Sequence, residues 1–85
     1  MDYATDQQPL PTSNANTPIV WLVTHDLEKR AALGERKYGQ ALKAFNGRDA
    51  LMDAYQEVLD LAMYMRQAIA EREKLERELT RLKIE

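Results

Sequence analysis

The sequence predicts an all-α fold: a helix-loop-helix hairpin with a long second helix, assembling with copies of itself into a helical bundle. Three observations carry that expectation. Residues 48–82 contain no proline or glycine and are mostly strong helix formers. Their apolar residues recur at heptad spacing and also spill beyond one stripe. Finally, the chain has only 85 residues, no cysteine and one histidine, so neither a disulfide nor a thiolate metal site supplements a small core. Oligomerisation is the remaining supplement.

Residues 1–17 form the expected flexible N-terminal tail, with Pro9, Pro11 and a Thr-Ser-Asn-Ala-Asn stretch that has too little apolar content to offset ordering entropy. Residues 18–85 form the hairpin domain, ending in a coiled-coil-like extension. Thr17 followed by Pro18 reads as a helix start, the hydroxyl capping free backbone N–H groups and the proline standing where no donor is needed. The first helix then runs to about Tyr38, with Val20, Val23, Leu27, Ala31 and Tyr38 on one side. The Ile-Val-Trp-Leu-Val run at its start has a strand's composition but no second strand to pair with, so it is read as helix.

Gly39 stands where a left-handed residue ends the helix, and the stretch to Gly47 reads as a loop anchored by Leu42 and Phe45. Asn46 or Gly47 opens the second helix. In that helix Leu51, Val58, Met65, Arg72 and Leu79 occupy one heptad core position, and Ala54, Leu61, Ala68, Leu75 and Leu82 the other. Only Arg72 breaks the seam. Met52, Tyr55, Leu59, Ala62 and Met63 widen the apolar surface to roughly two thirds of the circumference, more than one companion helix covers. The expected partner is therefore the chain itself, at least as a dimer, most simply as a four-helix bundle of two hairpins.

Charge excludes some functions. A formal net charge of -2 argues against coating bulk nucleic acid, which calls for a basic excess. No apolar run approaches the length of a membrane span, and the polar first residues do not resemble a signal sequence, so a soluble, cytoplasmic protein is expected. Gly-rich phosphate loops and nucleophile elbows are missing, which removes serine and cysteine nucleophile chemistry.

The polar strip left on the second helix carries Asp49, Asp53, Glu57, Asp60, Tyr64 and Glu71. Two readings stay open. As a solvated face, the acids keep the protein soluble at a repulsion cost of a few tenths of a kcal/mol per pair. As a metal site, Asp53, Glu57 and Asp60 supply hard oxygens for magnesium, with Glu57 and Asp60 close enough to share one ion. His25 reads as a surface or packed imidazole rather than a metal ligand, Trp21 as a packing anchor, and the charged stretch 71–83 as a solvated helix with a leucine seam.

Arg36-Lys37-Tyr38-Gly39, Gly47-Arg48-Asp49-Ala50-Leu51 and the run Asp53-Ala54-Tyr55-Gln56-Glu57-Val58-Leu59-Asp60-Leu61-Ala62-Met63-Tyr64 together resemble small phage-type proteins of the MazG-like, all-α nucleotide pyrophosphohydrolase superfamily. About half the chain is involved. The resemblance implies a helical, oligomeric enzyme that splits nucleoside triphosphates into monophosphate and pyrophosphate with magnesium held by acids on facing helices. Glu57 and Asp60 reproduce the family's Glu-x-x-Asp motif. The family's Glu-Glu-x-x-Glu motif on the preceding helix is missing: that helix offers Asp26, Glu28 and Glu35, of which Glu28 and Glu35 share a side with His25. Without those ligands, water is poorly placed and activated, while nucleotide binding survives.

Within that reading Arg36, Lys37 and Arg48 contact phosphate, Lys37 as a point charge and the arginines through their forks. Tyr38 and Phe45 either stack on a base or plug the open end of the hairpin. The resulting expectation is a nucleotide-binding protein, in the host cytoplasm if phage-encoded. It acts either as a magnesium-dependent pyrophosphohydrolase or as a non-catalytic protein that sequesters a nucleotide second messenger. The alternative is an oligomerisation or interaction module without ligand.

Overall fold

The computed structural model describes residues 1–84, so Glu85, the expected last residue of the domain, lies outside the described residues. Two helices, α1 (Ile19–Tyr38) and α2 (Ala50–Ile84), make up the regular structure, and no strand occurs among the described residues. The all-α expectation holds. The chain divides into two units: Gln8–Arg48, containing α1, and Met1–Gln7 together with the chain from Asp49 onward, containing α2.

In α1 the Ile-Val-Trp-Leu-Val run is helical, as expected for an apolar run with no strand to join. Its start differs from the sequence reading by one residue. Pro18 itself is the N-cap, extended at φ -56 and ψ 136, and no side chain caps the helix. Thr17 therefore does not cap α1: it lies outside the capping position, and the proline that follows it has no side-chain acceptor. The first turn is held instead by the Trp21 N–H donating to the Pro18 carbonyl at 3.1 Å. Farther on, the Thr24 hydroxyl donates to the Val20 carbonyl at 2.7 Å, which satisfies a polar group inside an apolar stretch. Gly39 ends α1 in the left-handed region at φ 77, its N–H donating to the Glu35 carbonyl at 2.8 Å, as the sequence predicted.

The start of α2 also differs. Asn46 and Gly47 belong to the connecting turn, where the Arg48 N–H donates to the Asn46 side-chain oxygen at 3.0 Å and Gly47 takes φ 86. The helix opens at Ala50. Asp49 is its cap: the Met52 N–H donates to the Asp49 carboxylate at 3.1 Å, and the Asp53 N–H reaches the Asp49 carbonyl at 3.1 Å. A carboxylate there satisfies an orphan donor and meets the positive end of the helix dipole. Asp49→Ala is expected to cost about 1 kcal/mol of helix stability and Asp49→Asn much less, as read from thermal melts followed by circular dichroism.

Leu42 and Phe45, expected to anchor the connection, are fully exposed. The turn is made by the side chain of Asn46 and the left-handed backbone of Gly47, so it needs no apolar anchor. Toward the end of α2, Gln67 donates to Glu71 at 2.9 Å and Arg66 lies 3.6 Å from Glu73. These pairs face solvent, and each is worth about 0–1 kcal/mol.

Neither unit has a buried side chain among the described residues. The apolar stripe of α1 is exposed at Val20, Val23, Leu27 and Tyr38, and the α2 seam is exposed from Leu51 to Leu82. Met52, Leu59 and Met63, which widen that seam, are 56%, 47% and 64% exposed. Trp21, expected as a packing residue, is exposed as well, because its unit contains no core for it to anchor. Among the described residues no helix is long and apolar enough to cross a membrane.

The first residues form a tight turn. Asp2 accepts from the Ala4 N–H at 2.9 Å and the Thr5 hydroxyl at 2.7 Å, while its own N–H donates to the Asp6 carboxylate at 2.7 Å. The Thr5 hydroxyl first, then the Ala4 N–H, hold the Asp2 carboxyl below its ordinary value of 3.8. A lowered carboxyl stabilises the turn above that ordinary value, and the contribution disappears as pH falls through the lowered one. The protection factor of the Ala4 amide, its exchange rate compared with the pH-dependent intrinsic rate, is expected to fall between neutral pH and this acid range as Asp2 takes up its proton.

Candidate functional site

The expected phosphate contacts all lie in the Gln8–Arg48 unit. Arg36 and Lys37 occupy the last turn of α1, and Tyr38 is its final residue. All three are exposed. Among the described residues neither Arg36 nor Lys37 makes an ion pair with a carboxylate. The Lys37 ammonium sits 5.3 Å from the centroid of the Tyr38 ring, within reach of a cation–π attraction. Arg48 lies at the end of the connecting turn and has an interaction of its own.

Two electrostatic effects compete at this end of α1. The C-terminal end of a helix dipole is negative, which repels an anion by about 0.3–1 kcal/mol and favours the cations placed there. A charge-assisted hydrogen bond from arginine or lysine to phosphate is worth about 1.5–3 kcal/mol. Two cations therefore outweigh the dipole, and the helix end remains able to accept a phosphate. The Gly39 N–H contributes nothing, since the Glu35 carbonyl already occupies it.

Phe45 joins this group. It has φ 59, a left-handed conformation uncommon for a bulky residue, and its ring is fully exposed. Tyr38 and Phe45 are thus both exposed in the single chain. The sequence placed both aromatics beside the turn but carried no signal for the left-handed backbone of Phe45, because any residue before Asn-Gly adopts its conformation from the turn as a whole.

The carboxylates belong to the other unit. Asp53, Glu57 and Asp60 fall within a narrow arc of α2, at intervals of four and three residues. Successive Cβ atoms at such intervals are about 5–6 Å apart. Magnesium binds oxygen at about 2.0–2.1 Å and demands near-octahedral geometry, so one helix brings two neighbouring carboxylates to an ion more readily than three. Glu57 and Asp60 are that pair. Asp53, partly covered, has an interaction of its own. Among the described residues no three histidine or acidic side chains converge as a metal-holding group. A hard-oxygen donor pair of this kind fits magnesium when water, phosphate oxygens or acids of another copy complete the shell. His25 stands apart from any such cluster.

The chain matches no family model, no curated protein and no solved structure.

Proposed function

We propose that this protein assembles from copies of itself into a helical bundle and binds a nucleotide through its phosphates and base, as the MazG-like resemblance implies. The observation that carries the reading is the end of α1, where Arg36 and Lys37 stand without carboxylate partners among the described residues, beside the exposed Tyr38 ring. Cations there neutralise phosphate, and the exposed rings of Tyr38 and Phe45 supply flat apolar faces for a base. Arg48 adds a third cation. The largely exposed apolar surface of both helices supports self-assembly, because a chain this small with no buried side chain among the described residues requires burial against another chain to be stable.

Glu57 and Asp60, with Asp53, are the proposed magnesium ligands. Their carboxylates supply hard oxygens that offset the cation's charge. Hydrolysis to monophosphate and pyrophosphate requires that this ion also position and activate a water. The missing first acidic motif leaves fewer ligands for that task, which favours binding without turnover, as in a protein that sequesters a nucleotide second messenger.

A second reading, a module that binds only other helices, is supported by the same exposed seam, beside which Arg66 and Glu73 form a surface ion pair. One experiment separates the readings. The purified protein is titrated calorimetrically with nucleoside triphosphates and cyclic nucleotides, with and without magnesium, and products are followed in parallel. Binding without product supports sequestration. Product lost in Asp60→Ala supports the hydrolase. No heat with any nucleotide discards both and leaves the interaction module.

A further inference from the structure

Arg72 is the single charged residue in the α2 seam, and the structure gives it a neighbour from far along the chain. The guanidinium carbon lies 6.0 Å from the centroid of the Tyr3 ring, at the outer limit of a cation–π contact. Tyr3 reaches it from the turn built on Asp2, whose carboxylate takes both the Ala4 N–H and the Thr5 hydroxyl. Met1 flanks a shallow groove with Glu73, Glu76, Arg77 and Thr80 of the same unit. Ile69 and Glu73, on this side of α2, are two of the few partly covered residues in the chain.

The helical wheel shows what this contact leaves open. Glu73, Glu76, Arg77 and Thr80 centre on a direction about 110° from the axis of the Val58–Leu82 seam, and Arg72 lies about 20° off that axis on the same side. The N-terminal turn therefore sits on the flank of α2 and leaves Leu75, Leu79 and Leu82 exposed. A guanidinium held toward Tyr3 is one directed away from those leucines.

We propose that the Asp2–Asp6 turn is a clasp: Tyr3 draws Arg72 to the flank of α2, so that the seam from Val58 to Leu82 can pair with the same seam of a second copy. The proposal rests on the self-assembly reading given above. The occupant is a second copy because the seam is self-complementary about its centre. Antiparallel pairing about residue 70 sets Val58 against Leu82, Leu61 against Leu79 and Met65 against Leu75. It sets Arg72 against Ala68, whose methyl leaves room for the arginine stem to pass outward.

The area involved makes the position of one guanidinium decisive. From Val58 to Leu82 the seam is about 36 Å long. At the width of one helix it offers several hundred Å² per copy, toward the low end of the roughly 800 Å² that each partner of a stable complex buries. A charge left near the middle of so small a surface is desolvated without a partner, whereas one held over an aromatic ring at the rim is not.

Sedimentation velocity over a concentration series of the full chain tests this with five proteins: wild type, Tyr3→Ala, Tyr3→Phe, Arg72→Leu and the Tyr3→Ala/Arg72→Leu double variant. Each dimer contains the contact twice, so Tyr3→Ala is expected to raise the dimer dissociation constant about 5- to 30-fold. Tyr3→Phe is expected to behave as wild type. Arg72→Leu removes the charge that the clasp manages; it tightens the dimer, and adding Tyr3→Ala to it changes nothing further. An unchanged or tighter dimer in Tyr3→Ala overturns the clasp, as does an equal weakening by Tyr3→Ala in the Arg72→Leu background. A wild-type chain that stays monomeric up to its solubility limit overturns the self-assembly reading along with it.

Discussion

Leu61→Lys is expected to abolish self-association and cooperative unfolding together. Leu61 belongs to the α2 seam, opposite Leu79 of the second copy in the antiparallel pairing, and is exposed in the single chain. Burying a leucine contributes about 1.5–3 kcal/mol, and a symmetric dimer loses that amount at two positions. Lysine adds the cost of a desolvated, unpaired ammonium on each chain. The sum predicts a dimer dissociation constant raised by more than about 1,000-fold, which at micromolar protein leaves monomer alone. The monomer has no buried side chain among its described residues to hold it, so its helix signal should melt gradually instead of in one transition. Leu61→Met should stay within about 1.5 kcal/mol of wild type, and Gln67→Lys, on the polar side, should change little. Sedimentation and circular dichroism on the same samples check all three, and a Leu61→Lys chain that remains dimeric would refute the seam as the interface.

Local signals explain what the sequence made legible. The helical interior of α2 follows from a run of helix formers with no breaker, and the end of α1 follows from Gly39, because a left-handed terminus is a property of one residue and its nearest neighbours. Both helix starts were misplaced for a related reason. Thr17 and Asn46 are residues that cap helices, yet neither stands at an N-cap here. The proline after Thr17 takes the capping position, and the Asn46 side chain is occupied by the Arg48 N–H in a turn of its own. Asp49, three residues before Met52, was read as one acid in a polar strip although it also has a capping residue's type and position. The contact of Tyr3 with Arg72 was invisible for a different reason: it joins residues far apart in sequence through a stretch whose composition reads as unstructured.

The candidate sites were legible as residue types and placed by the fold only in part. Arg36, Lys37 and Tyr38 share a helix end because they are consecutive, and Glu57 and Asp60 share a face because they are three apart. Nothing in a periodic pattern reports whether such a face meets solvent or another chain. That depends on assembly, and in a chain without a core of its own, assembly and stability are one equilibrium. A ligand that binds only the assembled form therefore also stabilises it, so nucleotide binding and self-association are expected to strengthen each other.

Removing both cations from the end of α1 is expected to weaken nucleotide binding far more than it disturbs the helix. Each of Arg36 and Lys37 offers phosphate a charge-assisted hydrogen bond worth about 1.5–3 kcal/mol, so the double alanine variant should bind about 100-fold or more weakly. Their contribution to the helix is smaller, about 0.3–1 kcal/mol apiece through the dipole, and alanine's high helix propensity offsets part of it. Lys37→Arg keeps the charge and should retain most of the affinity; Tyr38→Ala removes the exposed ring while leaving both cations, so its loss should depend on which base the nucleotide carries. Calorimetry of each variant at two salt concentrations separates these effects, because the cation-dependent part shrinks as salt rises and the stacking part does not. Affinity left intact in the double variant would move the phosphate site away from α1 altogether.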